Sequence, residues 1–227
     1  MNQNIKVAVD AIVFGYHKTE GVSLILVKRK YSPFKGSWAI PGGFVLNEED
    51  LESAVRRELR EETGVEINFL EQLYTFGKPN RDPRERVLSI SYFGLVNSQT
   101  FQELKAATDA EQAQWFSIKS LPQLAFDHQE IVNVAITRIR AKIKYQPIGF
   151  ELLDPKFSFS DLEILYSTLL DRKIDRRNFK KKIMGLGFLE ELNEKAPSNG
   201  AGRPGSLFQF NVDKYRRYEK NGFHIEI

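Results

Sequence analysis

Cysteine is absent from the 227 residues, which excludes a disulfide-stapled scaffold, a thiolate zinc site and a cysteine nucleophile, and agrees with a reducing compartment. No apolar run approaches the roughly 20 residues that a membrane-spanning helix needs, and the first residues do not form a signal peptide. Export and a membrane partner are therefore not expected, and a cytoplasmic location is. A strong charge of one sign is also lacking: the formal net charge is +3, too small by itself to imply a polyanionic partner. Repeats and low-complexity tracts are missing as well. What remains is the balance of a globular protein, 41% hydrophobic and 28% charged. This length accommodates one large domain or two modest ones, and the patterning argues for two, over residues 1–147 and 148–227.

Residues 7–14 and 22–29 alternate apolar with small or polar side chains, with a turn ahead of Val22, and read as a hairpin. Pro33 and Gly36 mark a loop, residues 38–40 a short strand, and Pro41, Gly42 and Gly43 a further turn. Residues 49–63 switch to a helical period, with Ala54, Val55 and Leu59 on one side and Gly64 placed to end the helix. Strands are expected over 65–75 and 87–96, a last piece of sheet at Trp115, and an amphipathic helix over 129–144. Without strict strand–helix alternation, this order predicts an α+β fold with a mixed sheet packed by helices.

In the second part, Ser160 and Glu163 have the spacing of a capping box that opens a helix carrying Leu162, Leu165, Tyr166 and Leu169. A second helix is expected over 175–185, with Phe179 and Ile183 inward. Two strands, 188–192 and 206–210, flank a polar, Gly- and Pro-rich loop. Helices followed by a hairpin are the order of a winged helix-turn-helix. Residues 150–227 hold fourteen Lys and Arg against twelve Asp and Glu, so the positive charge is local. It is concentrated in residues 171–182, with seven basic and two acidic side chains.

Residues three and four apart on a helix are surface neighbours, so Glu61 and Glu62 both flank Glu58. Three carboxylates so close repel unless a cation neutralises them, and hard oxygen donors favour magnesium or manganese. Such an ion cancels charge on a diphosphate and activates water. Arg57 is placed to brace a glutamate, Glu49 lies near the same end of the helix, and Gly42 and Gly43 permit close backbone approach. A solvated acidic helix is the bland alternative, and the spacing argues against it. Gly43, Glu49, Arg57, Glu58, Leu59, Glu61, Glu62, Gly64 and Val65 fill all nine fixed positions of Gx5Ex7REUxEExGU, where U is aliphatic. This stretch resembles the Nudix box.

The wider chain resembles the Nudix-related transcriptional regulators, the NrtR group and its arabinose-responsive relatives. The stretches at residues 38–45, 80–84 and 124–128 support that placement. The resemblance implies a Nudix α/β/α sandwich followed by a winged helix, an ADP-ribose-like ligand, double-stranded operator DNA as partner, and a homodimer. It implies Glu49, Arg57, Glu58 and Glu61 as catalytic residues, with Glu58, Glu61 and Glu62 as the magnesium or manganese ligands. Gly42, Gly43, Arg81, Arg84, Arg86, Asp127 and His128 are the candidate ligand-binding residues, since guanidinium forks match phosphate oxygens. Arg176, Arg177, Asn178, Lys180, Lys181 and, at the wing tip, Arg203 are the candidate DNA contacts. Some NAD-branch members have lost box carboxylates and only sense; this chain keeps the whole box, so hydrolysis stays open beside sensing. The alternatives are a dedicated pyrophosphohydrolase with a non-DNA-binding appendage, or a sugar-responsive regulator.

Overall fold

The computed structural model describes residues 4–17, 19, 21–67, 69–97, 113–196 and 205–220, with backbone alone for 218–220. The chain divides into two compact units, Met1–Arg138 and Ile139–Ile227. Arg203 and its neighbours at the expected wing tip lie outside the described residues.

The first unit is built on β1 (Lys6–His17), β2 (Gly21–Lys28), β3 (Trp38–Ala39), β4 (Gly42–Phe44), β5 (Phe69–Phe76), β6 (Val87–Val96) and β7 (Ala113–Ser117). They form one mixed sheet in the order β3-β2-β1-β6-β5, with β4 joined to β1 and β7 to β2. β1 runs parallel to β6 along ten residue pairs. On its other edge it forks. Phe14 to His17 pair with β2, while Ala8, Val9 and Asp10 pair with Phe44, Gly43 and Gly42 of β4. That fork sets a glycine pair opposite Asp10.

Helix α1 (Leu51–Thr63) starts at Asp50, whose carboxylate accepts from the Ser53 amide, and ends at Gly64 in the left-handed region at φ 71°. A cap oxygen at one end and a residue without Cβ at the other define its length. Ala54, Val55, Leu59 and Thr63 are its buried stripe, packed with Val9, Ala11, Val13 and Ile25 of the sheet. The opposite stripe is left to the glutamates. Residues 65–67 were expected to open a strand, but β5 begins at Phe69. Val65 and Ile67 are buried against the core, and the Ile67 carbonyl accepts from Arg56 at 2.6 Å instead of joining the ladder. Helix α2 (His128–Lys142) follows, and the division between the units falls within it.

In the second unit a 3-10 turn (Ile148–Leu152) leads to β8 (Phe157–Ser158), α3 (Phe159–Leu170), α4 (Arg176–Gly185), β9 (Leu189–Lys195), β10 (Ser206–Phe210) and α5 (Val212–Lys220). The strands make a three-stranded sheet, β8-β10-β9. The helix pair followed by a hairpin is present, and β8, the 3-10 turn and α5 add to it. The cap of α3 is Ser158, not Ser160: Ser158 and Asp161 form the reciprocal box. Shifting the start brings Phe159 into the helix, where it is buried with Leu162, Leu165, Tyr166 and Leu169. Rings of Phe150 and Phe210 stack at 4.2 Å; Phe188 and Tyr215 extend this cluster.

Candidate functional site

The fork of β1 gives the site its geometry. A Cβ on Gly43 would collide with the Glu58 carboxylate, and one on Gly42 with the Val9 carbonyl, so only glycines allow β4 to lie between β1 and α1. The Gly42 amide donates to Glu62 Oε2 at 2.9 Å. Arg57 gathers the box from the other side. Its Nε and Nη2 donate to both oxygens of Glu49 at 3.0 and 2.6 Å, Nη1 donates to Glu58 at 2.7 Å, and Nη2 reaches the Phe44 carbonyl at 3.2 Å. Glu61 is 3.5 Å away from the same guanidinium. Arg57 thus braces two glutamates and fixes the loop ahead of α1.

The electrostatics are correspondingly uneven. Arg57 bonding, with the Leu46 amide, holds the Glu49 carboxyl below its ordinary range. Although Glu62 is exposed as a residue, its carboxyl end is crowded by protein, and that burial, with the nearby charges of Glu58 and Asp10, pushes its pKa up to about 7. Two carboxylates around one that resists ionising mark a place short of positive charge. Among the described residues no three acidic or imidazole groups are already drawn into a metal cage. The donors present, carboxylate oxygens against a glycine backbone, are nevertheless those of a hard divalent ion, and the residues fit one.

Gly42, Gly43, Phe44, Glu61 and Glu62 form one wall of a cleft of about 270 Å³, and Glu49, Arg57 and Glu58 brace that wall without lining it. Its floor holds Asp10, Arg81 and His128. Asp10 accepts from Ser89 Oγ and lies 3.6 Å from Arg81 Nη2. Arg81 is almost wholly buried and donates to both oxygens of Asp127, at 2.9 and 2.7 Å. His128 Nδ1 accepts from the Ile40 amide at 2.9 Å, which leaves the proton of the neutral ring on Nε2, facing Asp10 at 3.8 Å. Burial, more than any neighbour, depresses its pKa. Arg81 and His128 thus line the cleft with hydrogen-bond partners of their own, and Asp127 stands behind Arg81, outside the lining.

The opposite wall is basic and aromatic. Arg84 is held by Asp82 at 3.0 and 2.7 Å, and its guanidinium lies 5.8 Å from the Phe44 ring and 5.9 Å from Phe126. Arg29 sits 4.5 Å over the same Phe126 ring. Burial, then the Arg84 charge, lower the Arg29 pKa against the opposing pull of Glu62 and Asp82, so two cations share one ring beside the Asp82 carboxylate. Phe126 and Phe34 meet edge to face at 4.8 Å, each in the left-handed region at φ 52° and 61°, where a bulky residue is strained. Arg86 is elsewhere, donating to the Gly77 carbonyl and not lining the cleft. Asp10, Arg29, Phe44 and Phe126 were not singled out by sequence. Asp10 carried a signal, a charge at an inward position of an apolar strand, and Phe44 and Phe126 lie within the stretches 38–45 and 124–128 that support the family resemblance.

In the second unit, Phe179 and Ile183 anchor α4 inward while Arg177, Asn178, Lys181 and Lys182 are exposed. Arg176 is ion-paired with Glu163, and Lys180 lies over the rings of Phe159 and Phe208.

Residues 4–134 match the model of the NUDIX domain, and residues 149–210 that of the NrtR DNA-binding winged helix domain. The chain is 30% identical over 212 residues to the ADPR responsive transcriptional repressor NtrR of Acinetobacter baylyi, covering 91% of this chain and 82% of that protein. It is 44% identical over 127 residues to the ADP-ribose pyrophosphatase of Methanocaldococcus jannaschii, covering 56% and 70%. The crystal structure of Shewanella oneidensis NrtR complexed with a 27mer DNA superposes with a TM-score of 0.82 at 28% identity, over 96% of this chain and 97% of that one.

Proposed function

This chain belongs to the Nudix family and carries an NrtR winged helix domain, and from that premise we propose that it is an ADP-ribose-responsive, DNA-binding transcriptional regulator that also hydrolyses its ligand. The observation that carries the reading is the division of charge across one cleft. Carboxylates and a glycine backbone line one wall, and Arg29, Arg84 and Phe126 the other. A nucleoside diphosphate linked to a sugar presents both complements: a diphosphate that needs cations, and a base or ribose that packs on an aromatic edge.

In this reading Glu58, Glu61 and Glu62 hold a divalent ion, magnesium or manganese, which supplies charge neutralisation at the diphosphate and a more acidic water. Arg57 keeps Glu49 and Glu58 in place, the Gly42 amide orients Glu62, and Arg29 and Arg84 exchange their mutual repulsion for phosphate oxygens. Arg81, paired with Asp127 and beside Asp10, keeps the floor rigid. Water adds across the diphosphate, giving AMP and ribose 5-phosphate from ADP-ribose. The second unit carries the response to operator DNA through α4. The regulator acts in the cytoplasm as a homodimer, since helix-turn-helix units pair on half-sites; a monomeric mass at micromolar concentration would count against that.

Incubation of the purified protein with ADP-ribose and magnesium tests the hydrolytic half. The expected outcome is AMP and ribose 5-phosphate from the wild type and none from Glu61→Gln, with DNA binding of the variant retained. Products formed equally by both proteins would take the box out of the chemistry.

A further inference from the structure

The basic residues of α4 do two different jobs. Arg176, the first residue of the helix, is ion-paired with Glu163. Both its terminal nitrogens also lie 3.3 Å from Ser160 Oγ, and its guanidinium is 5.7 Å from the Phe159 ring. One turn on, Lys180 Nζ is 5.5 Å from Phe159 and 5.6 Å from Phe208. Both cations are thus engaged by the start of α3 and by β10. They lie on the flank of the helix, beside its buried Phe179 and Ile183.

The outward stripe is different. At 3.6 residues per turn, the side opposite Phe179 and Ile183 carries Arg177, Asn178, Lys181 and Gly185, all exposed. Neither Arg177 nor Lys181 has an ion-pair partner among the described residues. Gly185, the last residue of α4, adds to this. Among the described residues nothing requires a glycine here: a Cβ would find no heavy atom within 4 Å, and its φ is not positive. It follows Lys181 by one turn and Asn178 by two, so the bare backbone lies in line with the free cation and the amide. An anionic partner that comes close to the helix accounts for both, and the sugar-phosphate wall of a DNA groove is such a partner.

We propose that Arg177, Asn178, Lys181 and Gly185 form the stripe of α4 that meets duplex DNA, with Gly185 at the closest approach, and that Arg176 and Lys180 are positioning residues that hold α4 against α3 and β10. This assignment rests on the DNA-binding reading above. It moves two of the expected contacts off the nucleic acid and adds a residue that carries no charge.

The test uses the full chain and a duplex that the wild type itself recovers from a randomised pool, with binding followed by fluorescence anisotropy over a range of salt. Gly185→Ala is expected to melt at the same or a higher temperature yet bind about tenfold more weakly, as overpacking at a close contact demands. Lys181→Gln should flatten the plot of log affinity against log salt by about 0.9, the loss of one phosphate contact. Arg176→Gln should lower the melting temperature while leaving that slope unchanged. Wild-type affinity in Gly185→Ala, or a slope lost equally in Arg176→Gln and Lys181→Gln, overturns the assignment. Recovery of no duplex by the wild type instead removes the DNA-binding reading, and the assignment with it.

Discussion

His128 and Tyr166 are both buried polar groups, one paired and one not, and each has a measurable consequence. The His128 imidazole accepts from Ile40 in its neutral form, and burial lowers its pKa below the usual 6.5. Below about pH 6.5 the unfolded chain takes up a proton that the folded ring refuses, so this group's stabilisation is complete above that pH and lost as pH falls, by at most about 1.4 kcal/mol per pH unit. Glu62, with its raised pKa, works in the opposite sense, so the comparison is between wild type and His128→Asn at each pH, the amide oxygen standing in for Nδ1. Urea midpoints should fall more steeply from pH 7.5 to 5.5 in the wild type; parallel curves would mean that the ring titrates freely. The Tyr166 hydroxyl is fully enclosed and meets no hydrogen-bonding group among the described residues, and burial raises its pKa. A buried hydroxyl left without a partner costs about 1–3 kcal/mol. Tyr166→Phe should therefore be neutral or stabilising by about 1 kcal/mol, read as an unchanged or higher melting temperature; a drop of several degrees would reveal a bond that the hydroxyl makes.

At the scale of elements, the start of α3 separates two sequence patterns that look alike. Ser160 with Glu163 has the spacing of a capping box, but it is Ser158 that accepts from Asp161 and receives its side chain in return, and Glu163 goes to Arg176. What decides is the burial of Phe159, which only the earlier start turns inward. Ser158→Ala should cost about 1 kcal/mol and Ser160→Ala a few tenths, measured by thermal melting of the second unit's signal; the reverse order would restore Ser160 as the cap. The same competition explains what the sequence left unread. Helix α1 was legible because its cap glycine, buried stripe and carboxylates all repeat at helical spacing. β8 spans two residues and the 3-10 turn five, too short for a period to show. In α5 most described side chains are exposed, and Tyr215 is what ties it to Phe188 and Phe210.

Across the whole molecule, the carboxylate wall could be read from one contiguous motif, whereas the opposite wall could not. Arg29, Phe44, Arg84 and Phe126 meet only because β1 forks between β2 and β4 and the loops beside them converge. The expected arginines split for the same reason: Arg81 and Arg84 both line the cleft, one held by Asp127 and the other by Asp82, while Arg86 turns to a backbone carbonyl. No local pattern distinguishes these fates. The proposed regulator reads a nucleotide in its Nudix domain and reports it through DNA. The most direct measurement titrates ADP-ribose, with magnesium, into the Glu61→Gln protein bound to its recovered duplex and follows anisotropy. With turnover removed, a saturable change in DNA affinity at ligand concentrations that also raise the melting temperature is the predicted result. Thermal stabilisation by ADP-ribose with no change in DNA affinity would contradict it.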